Sequence, residues 1–259
     1  QAPELAMPLN RVEVVDAPHP YDMSTAWAAE LPSLDGVWYP PRRFLDLLSA
    51  LTGTAIAPTA CVFQLSRSPA FPVLQQLYNI RYVVSVADRS IRAQPEALGA
   101  AWFPARVVTI DRPDEMAAAL QGRGVHSTLA ATAWLARTDA GRAPADPTAC
   151  SDTVTGVTTD ELGQTATITV TAPQACSLVV ATNYVSTFRA IATVGGSTRE
   201  VAVFPIDIAL TGVAVPAGAS TITLGPVADL PWWSRVASWL GIALLGAAIW
   251  QLGRPRVRA

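Results

Sequence analysis

Between Trp232 and Leu252 the chain reads WWSRVASWLGIALLGAAIWQL, with Arg235 its one charged residue. As a helix at about 1.5 Å per residue, this stretch is roughly 32 Å long, enough to cross a bilayer core. Trp232, Trp233 and Trp239 gather at one end and Trp250 lies near the other, where an interfacial aromatic belt places them. Arg254, Arg256 and Arg258 follow, so the positive-inside rule assigns the C-terminus to the cytoplasm and everything before Pro231 to the outside. A buried amphipathic helix of a soluble domain would show a polar face. Between Val236 and Ile249 only Ser238 is polar. The first expectation is therefore a transmembrane helix over 232–252 with a cytoplasmic tail, 253–259.

Charge divides along the same line. The basic residues are all arginine; fourteen of the 18, with all 20 carboxylates, precede Pro231. An acidic external part without a basic run argues against a nucleic-acid surface. The chain starts at Gln1 with no signal peptide ahead of it, so export implies a longer protein with earlier membrane helices.

The external part changes character near its middle. Residues 1–137 mix helix and strand signals. Arg11–Val15 is a short strand candidate. A loop rich in aromatic and polar groups follows, holding His19, Tyr21, Asp22, Trp27, Trp38 and Tyr39 between prolines. Such a loop either lines a sugar site or packs down as an irregular cover. In RRFLDLLSAL (42–51), Phe44, Leu47, Leu48 and Leu51 share one helical face, and Gly53 is a stop. PVLQQLYN repeats the pattern and runs into the strand-like IRYVVSV (80–86). A second strand is expected over Ala105–Ile110. Asp111 is then expected to cap a helix through DEMAAALQ, with Asp114 and Glu115 in its first turn. Residues 127–137 are ambiguous between helix and strand. This alternation suggests a small α/β layer domain. TDAGRAPADPTAC (138–150) reads as a linker.

From Ser151 the period becomes two. TATITVT (165–171) sends Ala166, Ile168 and Val170 to one face and threonines to the other. LVVAT (178–182) is apolar throughout, and FRAIATV and STREVAVF flank Gly195-Gly196, a hairpin signal. Pro216-Ala-Gly218 marks a turn before STITL (220–224). Short strands at this spacing suggest a β-sandwich over 151–226. The fold class is thus α+β: a small α/β layer domain, an antiparallel β-sandwich and one C-terminal transmembrane helix.

Few residues offer chemistry. His19 and His126 stand far apart with no metal-ligand spacing, and neither a C-x-x-C nor a G-x-S-x-G occurs. Gly122-Arg-Gly124 lacks the third glycine of a dinucleotide loop. No catalytic residue, metal site or cofactor is expected. Arg42 and Arg43 either hold a phosphate near a helix start or lie on the solvated face of that helix. Asp35, Trp38, Tyr39 and Arg42 are the candidate substrate-binding residues. Cys61 reads as a core residue. Cys150 and Cys176 each precede a serine and a strand-like run, and in an oxidising compartment they can pair.

The order of segments resembles the C-terminal extracytoplasmic region of the YfhO-like bacterial membrane proteins. Asn10-Arg11-Val12 followed by LPSLDGVWYPPRRFLDLL, then LYNIRYVVS (77–85), WFPARVVTIDRPDEMAAAL and LTGVAVPAG (210–218) carry the resemblance. These proteins are polytopic and GT-C glycosyltransferase-like, and some decorate cell-envelope polymers using lipid-linked sugars. The resemblance implies that this chain is the non-catalytic extracytoplasmic portion of such a protein in the bacterial inner membrane. Its partners would be the lipid bilayer and, through the parent, an envelope glycan or lipid-linked sugar. The catalytic acids of such an enzyme lie in early external loops, so none is carried over here. The alternative is a membrane-anchored structural or protein-interaction module without sugar specificity.

Overall fold

The period-two stretch after residue 151 forms two antiparallel sheets whose apolar sides share a core. The computed structural model describes residues 11–15, 36–38, 41–56, 61–63, 68–120, 125–143, 150, 152–160 and 165–226. Over these the chain is mixed α+β, with mostly antiparallel strands and few helices. Among the described residues, eight strands follow residue 151: β9 (Thr153–Thr159), β10 (Ala166–Thr171), β11 (Cys176–Asn183), β12 (Phe188–Val194), β13 (Ser197–Val201), β14 (Val203–Ile206), β15 (Leu210–Val215) and β16 (Ala219–Pro226). One sheet has the order β13-β12-β16-β10-β9. On β10, Ala166, Ile168 and Val170 are buried, and the intervening threonines are more exposed. Thr167 faces Thr158 on one side and Thr223 on the other, so the polar side is a threonine-rich surface. An antiparallel sheet with one face on a core and one in water alternates in this way.

The second sheet has the order β14-β15-β11-β6, where β6 is Ala101–Trp102. Leu178 and Val180 of β11, with Val213 and Val215 of β15, face the five-stranded sheet. Val179 and Ala181 of β11, with Phe204 and Ile206 of β14, face the opposite way, into a second core. This four-stranded sheet is therefore covered on both faces. That accounts for the unbroken apolar run of β11, whose first six residues are all buried. The stretch STREVAVF, expected as one strand, breaks at Ala202. β13 before it pairs with β12, and β14 after it pairs with β15 in the other sheet. Corners where a strand changes sheets are a recognised way of closing a two-sheet packing.

The second core is filled by the helices of the first half. α1 (Arg42–Thr52) buries Phe44, Leu47 and Leu48 of the face read from its spacing and Leu45 beside them, while Leu51 is half-buried; it ends at Gly53 with φ 69°. α2 (Phe71–Leu77) adds Val73, Leu74 and Leu77. Asn79 follows it at φ 53°, the left-handed conformation that asparagine tolerates after a helix. β4 (Ile80–Ser85) lies between β1 (Arg11–Val15), parallel to it, and β5 (Ser90–Ala93), antiparallel. β2 (Gly36–Trp38) pairs with β3 (Cys61–Phe63).

β7 (Arg106–Ile110), α3 (Pro113–Leu120), α4 (Val125–Ala131) and β8 (Thr132–Ala136) make a second crossover, with β7 parallel to β8. The ambiguous run 127–137 is thus helix first and strand second. The start of the expected linker is structured instead: Arg137–Arg142 is a 3-10 helix, with Asp139 buried.

All of these elements cluster in one compact unit, Gln1–Gly225. One core joins Phe44, Leu74 and Met116 of the first half to Val179, Phe204 and Leu210 of the second. The cysteines expected to pair are disulfide-bonded, Cys150 to Cys176, with their Cα atoms 6.1 Å apart. The expected span 232–252 lies outside the described residues. Among the described residues, no helix is long and apolar enough to cross a membrane.

Candidate functional site

The candidate residues Asp35 and Tyr39 lie outside the described residues. Trp38 is described by its backbone, which pairs with Cys61 between β2 and β3. Arg42 is the first residue of α1 and is exposed. The structure thus brings no two of these four into a described site.

It does assemble charges that single-residue reading passed over. A cleft of about 80 Å³ opens between α1, the β7–α3 turn, the end of β8 and the β14–β15 turn. Arg43, Asp46, Asp111, Arg112, Pro205 and Ile208 line it. Small-molecule pockets usually span about 300–1,000 Å³, so this cleft suits an ion or a few waters better than a sugar ring.

Three of the charges lining the cleft, Arg43, Asp111 and Arg112, are paired with side chains outside its lining. Arg43 of α1 points a guanidinium nitrogen at Asp139 Oδ2, 3.2 Å away, and its guanidinium carbon stands 5.7 Å from the centre of the Tyr184 ring. Arg142 donates to the Tyr184 hydroxyl at 3.3 Å. Asp111 was expected to cap α3. Its carboxylate instead accepts a two-pronged bond from Arg137, the residue after β8, at Oδ1 and, at 3.2 Å, at Oδ2. The parallel register of β7 and β8 explains this: Ile110 stands opposite Ala136, so the next residues of both strands meet. The Arg137 hydrogen bond holds the Asp111 carboxyl below its ordinary value. The start of α3 is satisfied differently, with Glu115 Oε1 accepting the Arg112 N–H at 3.1 Å, one arm of a capping box. Arg112 also pairs with Asp114 at 3.2 Å.

Behind the cleft wall lies Asp207, in the turn between β14 and β15. It is 1% exposed. Its Oδ1 accepts the Trp134 N–H at 2.8 Å, and its own N–H donates to Trp134 O at 2.7 Å. The pair of bonds extends the hydrogen bonding of β8 on the side away from β7. Oδ2 has no partner among the described residues. Burial pushes this carboxyl up to about 7, against the smaller opposing effect of the Trp134 N–H. The turn itself is unusual. Asp207 has φ 47° and Ile208 φ 68°, and a β-branched residue at positive φ is a genuine outlier. Ile208 is nonetheless 9% exposed and packed in the core.

Asp207 was missed because an acid in FPIDIAL reads locally as a turn residue. The available signal was a lone carboxylate in an apolar run, since aspartate is almost never fully buried without a partner. A second buried acid, Asp152, is also raised by burial, opposed by a hydrogen bond from the Gln174 backbone. It follows Cys150 by two residues, as Gln174 precedes Cys176 by two. His126 Nδ1 lies 2.8 Å from Glu96 O. Among the described residues, no three His, Cys, Asp or Glu side chains gather as a metal set. Compared with family models, with curated proteins and with solved structures, the chain matches none.

Proposed function

We propose that this chain is the non-catalytic, extracytoplasmic C-terminal portion of a polytopic GT-C-like membrane glycosyltransferase that acts on cell-envelope glycans or polymers. In this reading a small α/β layer domain and an antiparallel β-sandwich stand outside the inner membrane. The helix 232–252 anchors them, and the catalytic acids belong to earlier external loops of the parent. The segment shapes the acceptor side of the site or contacts the envelope polymer.

The observation that carries the reading is the Cys150–Cys176 disulfide. Such bonds persist in oxidising compartments, the side of the membrane to which the arginines after residue 253 assign these cysteines.

The test labels a single cysteine introduced at Thr158 in the parent protein, with Cys61 replaced by alanine. Labelling of intact cells once the outer envelope is permeable is expected. Labelling only after the inner membrane is breached overturns the orientation. In the same cells, deleting residues 1–226 should abolish glycan transfer by the parent. Undiminished transfer overturns this segment's part in the reaction and favours a membrane-anchored interaction module without sugar specificity.

A further inference from the structure

We propose that the β14–β15 turn is a proton-dependent latch: protonated Asp207 keeps the turn docked on β8, and loss of that proton releases it and loosens the cleft wall made by Pro205 and Ile208. Three features of the geometry carry this. The turn is tied to Trp134 through both the main chain and the side chain of Asp207. Asp207 Oδ2 is sealed from solvent with no donor aimed at it among the described residues, a position that tolerates a neutral carboxyl far better than a carboxylate. The backbone there is held at positive φ through Asp207 and Ile208, so undocking relieves strain as it hydrates the charge.

No neighbouring charge substitutes for the proton. Of the elements packed against the turn, β8, β11, β14 and β15 carry no charged side chain. The 3-10 helix carries Arg137, Asp139 and Arg142: Arg137 is engaged with Asp111, Asp139 with Arg43, and Arg142 with the Tyr184 hydroxyl. β12 carries Arg189, paired with Glu200. At the cleft, α1 offers Arg43 and Asp46, and the β7–α3 turn offers Asp111 and Arg112. None of these moves the Asp207 carboxyl, which responds to burial and to the Trp134 N–H.

The direction follows from the docked carboxyl titrating near 7, against an ordinary 3.8 once released. Below 3.8 both forms hold the proton, and docking does not depend on pH. Between 3.8 and 7 the docked form holds a proton that the released form has lost, so docking weakens with rising pH. Above 7 both forms are ionised and the loss is complete.

The experiment follows hydrogen exchange of the Trp134 amide in the full chain in detergent micelles, corrected for intrinsic exchange, from pH 4.5 to 8.5. Protection is expected to fall by up to about tenfold per pH unit as pH approaches 7, then to level off. Asp207→Asn keeps the Oδ1 acceptor and cannot ionise, so its protection should be flat over the same range. A slope that persists in that variant, or a flat profile in the unaltered chain, overturns the latch. Should the variant fail to fold, a carbon-13 titration of the Asp207 carboxyl in the unaltered chain decides: a midpoint near 7 supports the latch, and one near 4 overturns it.

Discussion

Gly212 faces Phe204 across the β14–β15 pair. A Cβ placed on Gly212 would stand 2.5 Å from Phe204 Cε2, and the ring is fully buried. The ring cannot swing into solvent, so the clash must be absorbed by the core. Gly212→Ala should therefore cost about 1–3 kcal/mol, the usual penalty of overpacking. Adding Phe204→Leu should recover part of the loss, because a shorter side chain vacates the space; thermal melts of the single and double variants check both. The need for glycine here was not legible in the sequence. TGVAV reads as a strand with an incidental glycine, and the reason appears only when the register sets Phe204 opposite. Asn79 is the contrary case. An asparagine between the apolar helix PVLQQLY and the strand IRYVV is a local stop signal, and it stands at φ 53°. Residues whose role is local were readable. Asp207, whose partner Trp134 lies 73 residues away, and Gly212, whose role depends on the register that sets it opposite Phe204, were not.

The same division holds for whole elements. α1, β4, β10 and the β12–β13 hairpin follow their sequence periods because each is set by its own apolar face or turn. β8 was ambiguous because TAWLA is short and suits either conformation; pairing with β7 decides it. β6 has only two residues and no period to read, yet it forms an edge of the four-stranded sheet through Val179 and Val180. The expected strand STREVAVF divides at Ala202 because its two halves pair in different sheets, which alternation alone cannot show. The Cys150–Cys176 bridge fastens the approach to β9 onto the start of β11, which otherwise belong to opposite sheets. It spans 26 residues, and a closed loop of that size is worth about 3 kcal/mol in the chain-entropy account. The double variant Cys150→Ala, Cys176→Ala should lose roughly this much. Reductant should bring the unaltered protein down to the melting temperature of the variant and leave the variant unmoved. A reductant effect of equal size on both would assign the change to something other than the bridge.

At the scale of the molecule, the reading from sequence divided residues 1–137 from 151–226, with a linker between. The grounds were sound locally: the hydrophobic period changes from 3.6 to 2, and the intervening residues are rich in Pro, Gly and Ala. What period cannot show is where the second face of an apolar strand goes. β11 is apolar on both faces, and the four-stranded sheet uses both, packing one side on the five-stranded sheet and the other on the helices. Residues 151–226 alone would lose β6 and expose Val179, Ala181, Phe204, Ile206 and Leu210, all 0% exposed in the whole. Burying side chains of this kind contributes about 1.5–3 kcal/mol for each large one, against a net stability of roughly 5–15 kcal/mol for a domain. Removing the helices therefore takes away an amount comparable to the whole. The fragment 150–226, made with its disulfide intact, should accordingly bind a hydrophobic dye and give a poorly dispersed amide spectrum. Residues 1–226 should give a dispersed spectrum and unfold in one calorimetric transition. A well-dispersed spectrum from the fragment, or two separate transitions in the longer piece, would mean that the two halves hold their own cores after all.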